Sequence, residues 1–275
     1  MFSRKSKLQV KNDQQLAYMR QAGLVVAAAL DATSAAVEPG RTTAELDAIA
    51  ARIISDAGAE PSFLGYNGYP AHICVSVNDE IVHGIPGSRV LADGDLVSID
   101  CGAIVNGWHG DAAVSVACGN TSDEARTLME VTRQALWRGL AAARVGRHLS
   151  DIGAAVEDYV LEQGPYGLVE DYVGHGIGTA MHMDPSVPNY GPAGRGPTLV
   201  AGLALAVEPM VTLGSQDNEV LPDNWTVRTL DGKWASHWEH TVAITAEGPW
   251  VLTAPDGGAA EFARLGVESP ASQRA

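Results

Sequence analysis

The sequence predicts an α+β domain made of two pseudo-symmetric helix–helix–sheet halves that close one antiparallel sheet between helices. Three observations carry this. Helical periodicity and short alternating segments follow one another in two rounds along the chain. Gly40-Arg41, ahead of a short helix in the first round, is matched 106 residues on by Gly146-Arg147, ahead of its counterpart. Asp100, closing the strand DLVSID, is matched 108 residues on by Glu208, closing LALAVE.

The elements follow in order. Apolar positions at Leu16, Met19, Leu24 and Ala27 predict a helix over 13–37, stopped by Pro39-Gly40. Thr42-x-x-Glu45 is a capping box that opens a second helix to about Ala57. HICVSV, EIVHGI, DLVSIDCGAIV and WHGDAAVSV alternate with turn residues between them and read as antiparallel strands. Thr121-x-x-Glu124 starts a long helix to about Val145, and a shorter one runs from Ser150 to about Gln163. Strands return at LALAVEPMVTL and WEHTVAITA. Residues 1–12 read as a short extension, 13–254 as one domain, and 255–275 as a partly flexible tail.

A chain of 275 residues with 46% hydrophobic content can bury one large core. Its 18 basic and 33 acidic residues give a net charge of −15, which argues against nucleic-acid binding. The most apolar run, Leu24 to Leu30, is too short to span a bilayer, and the basic N-terminus has no apolar stretch of the secretory kind. Cys74, Cys101 and Cys118 are few, odd in number and without CxxC spacing, as in reduced thiols. A cytoplasmic protein that engages no membrane is expected.

Four carboxylates stand out. Asn106-Gly107 is the strongest two-residue hairpin signal in the chain. With it as the turn, Val105 faces Trp108 and Asp100 faces Ala113. Asp111, two positions from Ala113, then lies diagonally from Asp100 on the same face, about 7–8 Å away. Asp100 and Glu208 end apolar strands where an unpaired charge is costly. Such carboxylates pair with Arg or Lys, mark strand ends, or hold cations. There is no basic residue between Arg89 and Arg126, which favours cations. Oxygen-rich ligation with one imidazole suits manganese, iron(II) or cobalt, and the absence of HExxH excludes the helical zinc-protease arrangement.

SFLGYNGYP, VNDEIVHGIP, LVSIDCG with WHGD, GHGIG, VEPM and WEHT stand in the order found in type I methionine aminopeptidases. The chain resembles that family from roughly Gln14 to Leu252. The resemblance implies the pita-bread (creatinase/aminopeptidase) fold and a single catalytic domain. It also implies two divalent ions (cobalt, manganese, iron(II) or another) held by Asp100, Asp111, His175, Glu208 and Glu239, with Asp111 and Glu239 bridging. The implied reaction is removal of N-terminal methionine from nascent proteins and peptides with a small second residue. A hydroxide held between the ions attacks the first peptide bond, and Glu208, His182 and His83 are the catalytic side chains. Glu208 would carry the proton. His182 would donate to the carbonyl oxygen, and His83 would contact the peptide near the scissile nitrogen. By position in the motifs Tyr66, Tyr69, Cys74, Met181 and Trp225 line the methionine pocket with Phe63 close by. The implied partners are N-terminal peptides of newly made proteins, met near ribosomes by a monomeric enzyme.

The chain departs from the family pattern at Asn67, Thr179, Met181 and Met183, none of which is an expected ligand. Two other readings share part of the pattern: a proline-directed aminopeptidase or prolidase, and a pita-bread module that binds peptides without cleaving them.

Overall fold

The computed structural model describes residues 8–273. Helices α1 (Asp13–Ala35) and α2 (Thr43–Asp56) both open on capping boxes. In the first, Gln15 N donates to the Asn12 side chain at 3.0 Å, and Asn12 N donates to the Gln15 side chain at 2.9 Å. Thr42 and Glu45 exchange the same pair of bonds ahead of α2, satisfying donors that the first turn leaves free. Helix α3 (Asp123–Ala142) differs from the sequence reading at both ends. Its cap is Ser122, whose hydroxyl accepts from Ala125 N, while Thr121 turns away to donate to Asp95 O at 2.9 Å. At the other end the Arg144 guanidinium donates to Ala141 O, ending the helix before the exposed Val145. Helix α4 spans Ser150–Gln163, as expected.

The first half supplies strands β1 (Glu60–Pro61), β2 (Ile73–Val77), β3 (Glu80–Val82), β4 (Leu96–Val105) and β5 (Trp108–Ala117). The second supplies β6 (Gly167–Leu168), β7 (Gly174–Gly176), β8 (Met183–Val187), β9 (Ala204–Val207) and β10 (Met210–Thr212). It continues with β11 (Asn218–Val220), β12 (Val227–Thr229), β13 (Ala235–His237), β14 (Glu239–Thr245) and β15 (Gly248–Val251). A nine-stranded sheet runs through both halves, with β2–β4–β5–β14–β9–β7 at its centre. That order reads the same from either end: β5 answers to β14, β4 to β9, and β2 to β7. It is the duplication inferred from the residue offsets. LALAVEPMVTL, expected as a continuous strand, is instead cut at Glu208-Pro209. Proline has no N–H to donate, so β9 stops at Val207, and β10 pairs with β13 and β6 in a separate sheet. Strands β11, β12 and β3 form a third sheet.

Alternation decides what each face of β4 meets. Val97, Ile99 and Cys101 point to α1 and α2 and pack with Val26, Leu46 and Ile54. The second half repeats this with Leu205, Val207 and Val242 against Leu136, Leu140 and Ile152. The other face, carrying Ser98 and Asp100, is where the polar side chains gather. No helix among the described residues is long and apolar enough to cross a membrane.

Helix α1 lies unusually close to the sheet. A Cβ on Gly110 would sit 2.7 Å from Gly23 N, and one on Gly23 would sit 2.2 Å from Leu252 O. Gly23→Ala is therefore expected to cost about 1–3 kcal/mol through overpacking, read as a lower urea midpoint. An unchanged midpoint would show that the helix can move away freely. The stretch read as a tail carries α5 (Ala259–Arg264) and a 3-10 turn at Pro270–Gln273. Phe262 is fully buried edge-on to Trp137, and Ser269 Oγ donates to Pro249 O at 2.8 Å. Residues 274–275 lie outside the described residues.

Candidate metal centre and active site

The Asn106-Gly107 turn forms, with φ of 51° and 76°, and Asp100 pairs with Ala113, the register expected from the sequence. Ala113 in turn pairs with Glu239 on β14. Cys74 pairs with Asp100 from the other side. One row across four strands thus carries Cys74, Asp100, Ala113 and Glu239, with side chains on one face. Asp111, two residues from Ala113, shares it. His175 pairs with Ala206, which pairs with Thr241, two residues from Glu239. That puts His175 on the same face. Glu208 follows β9 directly, its backbone carbonyl held by Asn189 Nδ2 at 3.1 Å.

These side chains converge. His175 Nε2 lies 3.6 Å from Glu208 Oε1 and 4.0 Å from Asp111 Oδ2. Asp111, His175 and Glu239 offer ligand atoms within 4.8 Å of one another. The ring of His175 donates from Nδ1 to Gly176 O at 3.0 Å, leaving the Nε2 lone pair facing the carboxylates. Asp100 Oδ1, Asp111 Oδ1 and Glu239 Oε1 are buried without any hydrogen-bond partner. Among the described residues, the only cationic groups within 4.0 Å of the four carboxylates are the imidazoles of His175 and His237. Burial pushes Asp100 up to about 7. Burial, then repulsion from neighbouring carboxylates, pushes Asp111, Glu208 and Glu239 well above the ordinary range. His175 falls to about 4, through burial first and the neighbouring His182 ring second. Four crowded oxygen donors with orphaned atoms and one neutral nitrogen fit divalent cations.

All the expected site residues line one cavity of about 250 Å³. On its apolar side Phe63, Tyr69, Cys74 and Met181 form a small core of their own, with Tyr66 and Trp225 against it. Tyr69 stands edge-on to Trp225 at 5.0 Å and to Phe63 at 6.5 Å. Burial, and after it Asp100, push the Cys74 thiol well up, which leaves it an apolar wall atom. On the polar side His182 stands edge-on to the His175 ring at 4.4 Å, and its Nδ1 shares a hydrogen bond of 2.8 Å with the Tyr66 hydroxyl. His83, just past β3 with φ of 61°, is held edge-on between Tyr172 and Trp225.

The family model described as metallopeptidase family M24 matches residues 17–246. The chain belongs to that family. Within M24 it falls among the methionine aminopeptidases. It is 55% identical to methionine aminopeptidase 1 of Mycobacterium tuberculosis (strain CDC 1551 / Oshkosh) over 86% of this chain and 91% of that one. It is 51% identical to methionine aminopeptidase 1 of Bacillus subtilis (strain 168), over 88% and 98%. The crystal structure of methionine aminopeptidase from Thermotoga maritima superposes with a TM-score of 0.88 at 38% identity, covering 90% of this chain and 99% of that one. A prolidase from Pyrococcus furiosus shares the M24 fold at a TM-score of 0.71 and 22% identity, and this chain covers 65% of it. The pita-bread fold expected from the sequence motifs is the fold of these M24 structures.

Sequence reading missed four residues at this M24 site. Val82, Tyr172 and Val173 line the cavity but carry no motif signal of their own. His237, 1% exposed and beside Glu239, stands one residue ahead of the expected strand WEHTVAITA and has no role in the sequence reading. Two departures from the family pattern fall in different places. Thr179 faces away from the cavity, bonded to Gln9 Nε2 at 2.8 Å, whereas Asn67 is on the cavity wall.

Proposed function

We propose that the chain is a dinuclear metalloaminopeptidase that removes N-terminal methionine from newly made proteins with a small second residue. The observation that carries this reading is a set of buried, mutually repelling carboxylates opening directly onto an apolar aromatic pocket. Asp100, Asp111, His175, Glu208 and Glu239 would hold two divalent ions, with Asp111 and Glu239 shared between them and Asp100 serving one, His175 and Glu208 the other. When bound, the ions supply a water of lowered pKa and polarise the substrate carbonyl. Glu208 would carry a proton towards the leaving amine. With the Tyr66 hydroxyl donating to Nδ1, His182 presents Nε2–H to the carbonyl oxygen as charge develops there. His83 contacts the peptide near the scissile nitrogen. The methionine side chain lies among Phe63, Tyr69, Cys74, Met181 and Trp225, where a thioether finds aromatic edges. A cavity of about 250 Å³ is small for a peptide site and favours a small second residue. The enzyme works as a cytoplasmic monomer on emerging chains, some of them still close to the ribosome.

The test is hydrolysis of Met-Ala-Ser and of Ala-Pro-Ala, ion by ion, with bound metal quantified alongside. Release of methionine from the first peptide is expected with manganese, cobalt or iron(II). Preference for Ala-Pro-Ala would overturn the specificity, and silence with every ion would leave a binding module.

Ion uptake should also release protons. The metal-free carboxyls hold protons to higher pH than usual, whereas the lowered imidazoles of His175 and His182 are already neutral. Only the carboxyls therefore give up protons when an ion enters. Manganese affinity should rise from about pH 6 to 8, by roughly tenfold per pH unit for each proton displaced. Calorimetry in two buffers of unlike ionisation heat reads the proton count, and a count of zero would contradict the assigned protonation.

A further inference from the structure

His237 closes β13 two residues before Glu239, and nothing in the motif pattern gives it a task. Its main chain is fixed from three sides. His237 N donates to Ser115 Oγ at 3.1 Å and to Ser98 Oγ at 3.3 Å, and its carbonyl accepts from Ser115 Oγ at 3.0 Å. Ser236 Oγ closes the cluster by donating to Ser115 Oγ at 2.9 Å. Serine hydroxyls buried between three strands hold this one residue in place, which is more anchoring than a strand end needs.

The Nε2 of the ring so anchored has no hydrogen-bond partner. His237 is 1% exposed. The nearest acceptor, Glu239 Oε2, is 3.9 Å away, beyond hydrogen-bonding reach. Glu208, His237 and Glu239 nevertheless offer ligand atoms within 4.8 Å of one another. This is a second cluster, sharing Glu239 with the one made by Asp111 and His175. Nitrogen and oxygen donors bound to one cation at about 2.0–2.2 Å each stand roughly 3–4 Å apart. Nε2, buried and too far from Glu239 for a hydrogen bond, stands at that spacing from Glu239, and Glu208 offers a ligand atom within 4.8 Å.

We infer that His237 Nε2 is a further ligand to the divalent cation shared by Glu208 and Glu239, so that the centre holds two imidazoles. The inference rests on the dinuclear reading above. Its chemical consequence is selectivity: a second nitrogen donor shifts preference from manganese towards zinc, cobalt and nickel, which bind imidazole more tightly.

The full chain, labelled with 15N in its histidine rings and titrated with zinc to two equivalents, gives the test. A zinc-bound ring nitrogen moves well away from the free position in the NMR spectrum. Two shifting nitrogens are expected in the wild type and one in His237→Gln, where zinc affinity falls at least tenfold and manganese affinity less. One shifting nitrogen in the wild type, unchanged by His237→Gln, overturns the inference and leaves the dinuclear reading standing. Failure to take up zinc or any other divalent ion would remove both. The wild-type count stands even if the variant folds poorly.

Discussion

Asp111→Asn is expected to lose metal and turnover together, by far more than 100-fold in each. Groups that merely support a ligand are worth roughly 10–100-fold in affinity, so losing a bridging carboxylate costs more. The substitution keeps shape and removes charge. It also leaves the local backbone intact, because Asp111 N donates to Thr241 Oγ1 at 3.0 Å and Asp111 O accepts from it at 2.8 Å. The fold should survive for a further reason. Asp111 is buried against Asp100 and Glu208, and without ions that proximity is repulsive. Neutralising one member should therefore raise the melting temperature of the metal-free protein while abolishing the rise that manganese gives the wild type. Paired melts with and without manganese measure both effects. A variant that bound manganese like the wild type would remove Asp111 from the centre.

His182→Ala should separate the two readouts. Metal content stays near the wild-type level, and kcat falls by roughly 100-fold or more, the scale of losing one donor to a developing oxyanion. KM should change little, since the bond strengthens only as the carbonyl oxygen gains charge. The ring sits 4.4 Å from His175, close enough that metal content must be measured and not assumed. Full activity in this variant would end the role assigned to His182.

Much of this architecture was legible in the sequence because local chemistry fixed it. Asn106-Gly107 selects one hairpin turn, and a two-residue turn permits one register, so the alignment of Asp100 with Ala113 follows from two residues. Thr42 and Glu45 likewise announce their own helix. The misreadings have local causes as well. Ser122 and Thr121 are both competent caps, and the choice between them lies in a long-range bond from Thr121 to Asp95 O. Pro209 forbids continuation of a strand, yet the hydrophobic run on either side of it read as one piece. His237 was invisible for a different reason. Apart from Glu239, its surroundings come from distant parts of the chain, Ser98 and Ser115 in the first half and Glu208 in the second. Tyr172 is of the same kind, meeting His83 only through the fold.

The seam between the halves joins β5 to β14 through just two residue pairs, Glu239 with Ala113 and His240 with Ala112, whereas the hairpin within the first half is paired along its length. Asp100 and Asp111 are therefore brought to one face by contacts within the first half, and the partner across the seam exists only once the chain has grown past Glu239. Until then the emerging protein carries a half-built acidic shelf with nothing opposite. On the proposed dinuclear reading, the enzyme cannot act until Glu239 has been made and seated across the seam.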